Sequence, residues 1–105
     1  ETENTLSIKF PEGVSDLPAG VKPALDKLAA RMEDDGDLRV QLLGYATAVG
    51  ESPSQARRMS LFRALSVRTY LMKKGVRSTR MDVRALGNKV ESGTADRVDI
   101  VVIEN

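Results

Sequence analysis

Arg63 is the residue of this chain most in need of a chemical explanation. It lies in Met59-Ser60-Leu61-Phe62-Arg63-Ala64-Leu65-Ser66-Val67-Arg68-Thr69-Tyr70-Leu71, on the helical stripe that Ala56, Met59 or Ser60, Ala64, Val67 and Leu71 turn toward a core. A guanidinium there is costly to bury unless something pairs with it. Just upstream, Gly44-Tyr45-Ala46-Thr47-Ala48-Val49-Gly50 forms a glycine-bounded loop after an alternating apolar segment. The function of the domain is expected to turn on what pairs with that charge. The competing reading is structural, with Arg63 bracing the loop through backbone carbonyls or a neighbouring carboxylate.

Other chemistry is poorly supplied. The chain has no histidine and no cysteine, which removes the commonest general base, the commonest metal ligand and all thiol chemistry. Glu33-Asp34-Asp35 and Asp37 have no calcium-loop spacing and read as a solvated helix end. Gly87-Asn88-Lys89 and the Gly44–Gly50 segment lack phosphate-loop spacing. Neither catalysis, a metal nor a cofactor is expected. Arg57, Arg58, Arg68, Lys73 and Lys74 decorate one helix, yet 16 basic residues against 15 acidic ones leave a net charge of +1. That balance and the scarcity of aromatics argue against nucleic acid as partner. No segment is long and apolar enough to enter a membrane.

These residues need elements to hold them. Leu6, Ile8 and Phe10 alternate as a strand. Ala24, Leu25, Leu28, Ala29 and Met32 recur at helical spacing, with Pro23 in the first turn and Gly36 expected to stop the helix. Leu38, Val40 and Leu42 form a second strand. Ser52-Pro53-Ser54-Gln55 opens the next helix with a capping box, and Lys73-Lys74-Gly75 closes it. Met81, Val83 and Ala85, then Val98, Ile100 and Val102, give two more strands. The order β-α-β-α-β-β predicts an α+β two-layer sandwich, with two main helices on one face of a four-stranded mixed sheet. At 105 residues the chain is expected to be a single domain, and its start at Glu1 suggests excision from a longer protein.

With these elements in place, the sequence resembles the OmpA-like domain, the periplasmic peptidoglycan-binding module of outer-membrane proteins, Pal-type lipoproteins and flagellar stator proteins of the Gram-negative envelope. The resemblance runs nearly end to end: the opening strand to Phe10, Gly44-Tyr45 through Gly50, Ser60, Arg63-Ala64, Val67, Leu71, Gly75-Val76, Gly87 and Arg97-Val98-Asp99. It implies a non-enzymatic domain that clamps diaminopimelate of the peptidoglycan stem peptide and tethers a membrane-anchored parent protein to the wall. In that family a loop aspartate faces the ligand ammonium and the helix arginine meets its carboxylate.

The chain departs from this pattern at the clamp. The loop aspartate falls on Thr47, flanked by Ala46 and Ala48; a helix asparagine falls on Ala56; an asparagine-arginine pair falls on Ala95 and Asp96, while Arg97 remains. Losing one charge-assisted hydrogen bond removes about 1.5–3 kcal/mol, or roughly ten- to hundredfold in affinity. The resemblance therefore implies a ligand site of Arg63, Thr47, Ala46, Ala48 and Arg97 with weakened recognition, unless Glu51 or Asp96 supplies a displaced carboxylate. A second departure is Leu61, Phe62 and Leu65, apolar where relatives are polar. They form one patch, expected either to meet a partner (a second copy or another envelope protein) or to be covered by the loop carrying Val14 and Leu17. The alternative function is accordingly an interaction module that has lost the wall ligand.

Overall fold

The computed structural model describes residues 5–47, 53–88 and 96–103. Within them run β1 (Thr5–Lys9), α1 (Lys22–Asp34), β2 (Arg39–Gly44), α2 (Pro53–Lys73), β3 (Met81–Ala85) and β4 (Arg97–Ile103), with short 3-10 turns at Ala19–Val21 and Ser78–Arg80. The strands form one mixed sheet in the order β1-β4-β2-β3. β4 runs antiparallel to β1 and β2, whereas β2 and β3 are parallel. Parallel neighbours need a long crossover, and α2 supplies it. Both helices pack on one face of the sheet, giving the expected α+β sandwich.

Strand alternation sets which side is buried. On β4, Val98, Ile100 and Val102 are buried while Asp99, Val101 and Ile103 are half-exposed. In register, Ile100 lies between Leu6 of β1 and Leu42 of β2. Above this layer α1 sets Leu25, Leu28, Ala29 and Met32, and α2 sets Ala64, Val67 and Leu71, all in one core cluster. Apolar burial of this kind contributes about 25 cal/mol per Å2.

The helix ends show how far local sequence reaches. α2 ends as expected: Gly75 takes φ +102°, its N–H bonds Met72 O at 3.0 Å, and Val76 N–H reaches back to Leu71 O at 3.0 Å. This is the Schellman arrangement, with buried Leu71 and Val76 as its apolar pair. The expectation that Gly36 stops α1 is corrected. Asp35 ends it in an extended conformation, at φ −124°, and its carboxylate accepts the Asp37 N–H at 3.1 Å. Such local carboxylate bonding competes with the helix ladder. Arg80 then clasps this turn, donating to Asp35 O at 2.8 Å and Leu38 O at 3.0 Å. The proposed cap Ser52 lies outside the described residues.

Candidate functional site

Gly44 is where β2 and α2 touch. A Cβ there would fall on the Ser60 carbonyl, so only glycine admits the approach. The side chain of the same residue, Ser60 Oγ, donates to Arg57 O at 2.7 Å and accepts the Gly87 N–H at 3.0 Å. Ala46 N–H bonds Gly87 O at 2.8 Å, and Gly87 holds the left-handed φ of +62°. Together these fix the segment after β2 against the first half of α2, directly beside Arg63.

Arg63 is the largest fully buried side chain among the described residues. Its Nε donates to Val14 O at 2.8 Å and its Nη2 to Pro11 O at 2.9 Å. Its Nη1 donates to Tyr45 O at 3.0 Å and to Asp96 Oδ1 at 2.8 Å. The Phe10 ring lies 5.2 Å from the guanidinium carbon. Four of the five N–H groups thus have acceptors inside the protein, which is how a buried cation is made tolerable. The two carbonyls at Pro11 and Val14 belong to a tight turn, closed by Val14 N–H to Pro11 O at 3.2 Å, with Gly13 at φ +76°. A type II turn requires that positive φ at its third residue.

Asp96 is the residue that this guanidinium selects. Thr47 donates its N–H to Oδ1 at 3.0 Å and its hydroxyl to Oδ2 at 2.9 Å. Burial raises the carboxyl pKa and is the largest single influence, but the Arg63 and Thr47 hydrogen bonds and the Arg63 charge together outweigh it. The net pKa lies below the ordinary aspartate value. The loop position lacking an aspartate of its own therefore holds one from 49 residues away.

A cavity of about 260 Å3 opens here, lined by Glu12, Gly13, Ala46, Thr47, Gln55, Arg58, Met59, Phe62, Arg63 and Asp96. The expected residues are distributed unevenly around it. Arg63, Thr47 and Ala46 border it, with Arg63 wholly buried and the Asp96 side chain 16% exposed. Ala48 lies outside the described residues. Arg97 is not among the described lining residues; its guanidinium lies 4.3 Å from the Tyr45 ring centre and bonds Asp99 at 3.0 Å. Sequence reasoning did not select Glu12, Gln55, Arg58 or Met59. The helix spacing of Gln55, Met59 and Phe62 beside Arg63 carried a usable signal; nothing local pointed to Glu12.

Of the apolar patch, Phe62 is 46% and Leu61 36% exposed, while Leu65 is half-buried. Leu17 shares a surface groove with Phe62 and Leu65, and Ser66 ties the intervening loop down by donating to Ser15 O at 2.8 Å. The loop covers one flank of the patch and leaves Leu61 and Phe62 open.

The profile of the OmpA family matches residues 9–101. Outer membrane protein A of Yersinia pseudotuberculosis is 38% identical over 88 residues, covering 76% of this chain and 25% of that protein. The chain thus spans about a quarter of the length of that curated relative. Among solved structures, the peptidoglycan-associated lipoprotein of Burkholderia pseudomallei superposes with a TM-score of 0.83 at 18% identity, covering 92% of this chain and 89% of that one. The periplasmic domain of Helicobacter pylori MotB gives 0.75 at 14% identity, covering 100% and 80%. At these identities the structural likeness speaks for the fold.

Proposed function

The chain belongs to the OmpA family, and from that premise we propose that it is a non-enzymatic cell-envelope domain that binds the peptidoglycan stem peptide non-covalently. It tethers its parent protein to the cell wall from the periplasmic side. The observation that carries this reading is the Asp96 carboxylate, held by Thr47 beside Arg63 at the edge of a cavity. A negative charge stands at the loop where the family resemblance calls for one, although it comes from a different segment. The ammonium of diaminopimelate is the group this charge suits. Recognition is weakened relative to a clamp with its own loop aspartate, because Asp96 already serves the guanidinium and Thr47.

The test is retention of the purified chain on isolated diaminopimelate-containing sacculi, with and without the Asp96→Ala exchange. Retention of the unmodified chain, reduced about tenfold or more by the exchange, supports the reading. Equal or absent retention of both removes it. Arg63→Ala is the poorer probe, because it takes away a brace as well as a charge.

A second reading rests on the exposure of Leu61 and Phe62: the domain assembles with a second copy or another envelope protein through this patch. Sedimentation of the unmodified chain against Phe62→Glu tests the first form. A monomer in both cases removes self-association.

A further inference from the structure

The sheet ends on β3, which has no strand on its outer side among the described residues. Its pairing with β2 decides which backbone groups point outward. Leu86 N–H bonds Gly44 O at 2.9 Å, just past the register pair of Gly44 and Ala85. Backbone groups change sides from one residue of a strand to the next. Asp82 and Arg84 therefore bond toward β2, and Met81, Val83 and Ala85 present theirs to the open edge. Ser78 O takes the Met81 N–H. The Met81 carbonyl and both groups of Val83 and Ala85 are left for another strand, for which such an edge is a template.

The side chains say which strand. On the face away from the helices Asp82 and Arg84 are exposed, with Arg84 Nε 3.2 Å from Asp82 Oδ2. If β3 pairs antiparallel with itself about Val83, Asp82 of each copy stands opposite Arg84 of the other, at the close non-hydrogen-bonded positions. Val83 then occupies a hydrogen-bonded position, as its outward backbone requires. An axis at Asp82 or Arg84 would set like charges opposite each other and would centre on backbone already bonded to β2. Within the strand, the Val83 register is the one that suits charge and backbone together. The other edge strand, β1, carries the single charge of Lys9 and has no such self-complement. The helix layer agrees. Arg57 lies against Gly87, just beyond β3, so its flank of α2 is the β3 side. Leu61 follows one turn later and Met72 about three turns after that, both exposed. Phe62 is turned the other way, toward Leu17 and the Arg63 cavity.

We infer that β3 pairs antiparallel with β3 of a second copy about a two-fold axis at Val83, joining two four-stranded sheets into one. The Val83 residues exchange backbone bonds, Ala85 N–H reaches the Met81 carbonyl on either side, and the Leu61–Met72 flanks of the two α2 helices come alongside. This rests on the assembly reading and not on wall binding: it names the second copy as partner and the strand edge as the main contact. None of the described residues lining the Arg63 cavity belongs to β3, so pairing leaves that site open.

The experiment is sedimentation equilibrium of the unmodified chain, Asp82→Arg, Arg84→Asp, an equimolar mixture of these two variants, and Phe62→Glu. Both edge side chains are about half exposed, so the exchanges leave the core untouched. The unmodified chain is expected to dimerise. Either edge exchange alone sets like charges opposite each other at two places and is expected to weaken the dimer about tenfold or more. In the mixture the two variants face each other with opposite charges, and association is expected to return. Phe62→Glu is expected to leave the dimer unchanged. A chain that stays monomeric to about 1 mM overturns the inference and self-association with it. A dimer indifferent to the edge exchanges, or a mixture that does not associate, overturns the inference alone. So does a dimer lost in Phe62→Glu and kept in the edge variants, which leaves the apolar patch as the contact.

Discussion

Toward its C-terminus α2 is held by shape: Val67 and Leu71 are fully buried, and Val76 returns over the last turn through the Schellman bonds. From its midpoint toward its N-terminus the same helix is held by charge and hydrogen bonds, with Arg63 reaching Pro11, Val14, Tyr45 and Asp96 and Ser60 reaching Arg57 and Gly87. The two halves also differ in polarity. Around Arg63 a cation faces inward while Leu61 and Phe62 face solvent; around Leu71 the apolar residue is inside and Lys73 and Lys74 are outside. Apolar packing tolerates many partners of roughly the right size. A buried guanidinium tolerates few, because each N–H requires an acceptor at a fixed distance and angle. The half specified by hydrogen bonds is the half that borders the cavity.

Four substitutions test this contrast, and the largest effect is expected at Arg63→Ala. It takes the guanidinium away from Asp96, which keeps its bonds from Thr47, and from three backbone carbonyls, a loss of about 3–5 kcal/mol for a broken buried pair, read by urea denaturation. Leu71→Ala follows at about 2–5 kcal/mol, depending on how far the cavity it leaves collapses. A larger loss at Leu71 than at Arg63 would make the polar knot the lesser anchor.

Asp96→Asn comes third, at about 1.5–3 kcal/mol near neutral pH, and it also carries a pH signature. Burial raises this carboxyl, but the bonds from Arg63 and Thr47 lower it by more, so its folded pKa lies below the unfolded value, which is about 3.9. A depressed acid stabilises the fold fully above the unfolded value and loses that contribution as pH falls through the folded one. The unmodified chain should therefore lose stability below about pH 4 more steeply than Asp96→Asn, by denaturation midpoints at successive pH values. Asp26 leaves a residual slope in both, since the hydrogen bond from the Tyr70 hydroxyl lowers its pKa as well. Tyr70→Phe removes that 2.6 Å bond at an exposed site and is expected to move the midpoint least of the four.

The sequence made the helix of Leu71 legible because its determinants are local. Apolar residues recur every three or four positions, a glycine follows the last turn, and two lysines sit at the negative helix end. Strand alternation was legible for the same reason, and element order then gave the sandwich. Gly36 misled because two routes can end a helix, and the Asp35 side chain offered a closer acceptor than the glycine offered conformational freedom. Arg63 was legible as a problem. Its solution was legible in kind, as a brace on backbone carbonyls or a neighbouring carboxylate, but which carbonyls was not, since three of its four acceptors are backbone carbonyls, which every residue carries and which leave no mark in a sequence. The fourth, Asp96, lies 33 residues away and owes its place to the bonds from Thr47.

The elements, their order and their buried faces follow from periodicity and punctuation within a few turns of chain, and the family from a resemblance carried by particular residues such as Ser60, Arg63-Ala64, Val67 and Leu71. Only the tertiary structure decided that the arginine on the apolar stripe is enclosed and that Asp96 stands in at the loop of Thr47. Those outcomes depend on distances between segments 18 to 52 residues apart, and hydrogen bonds discriminate such distances to a few tenths of an ångström. A hydrophobic pattern states only which side of an element is inside.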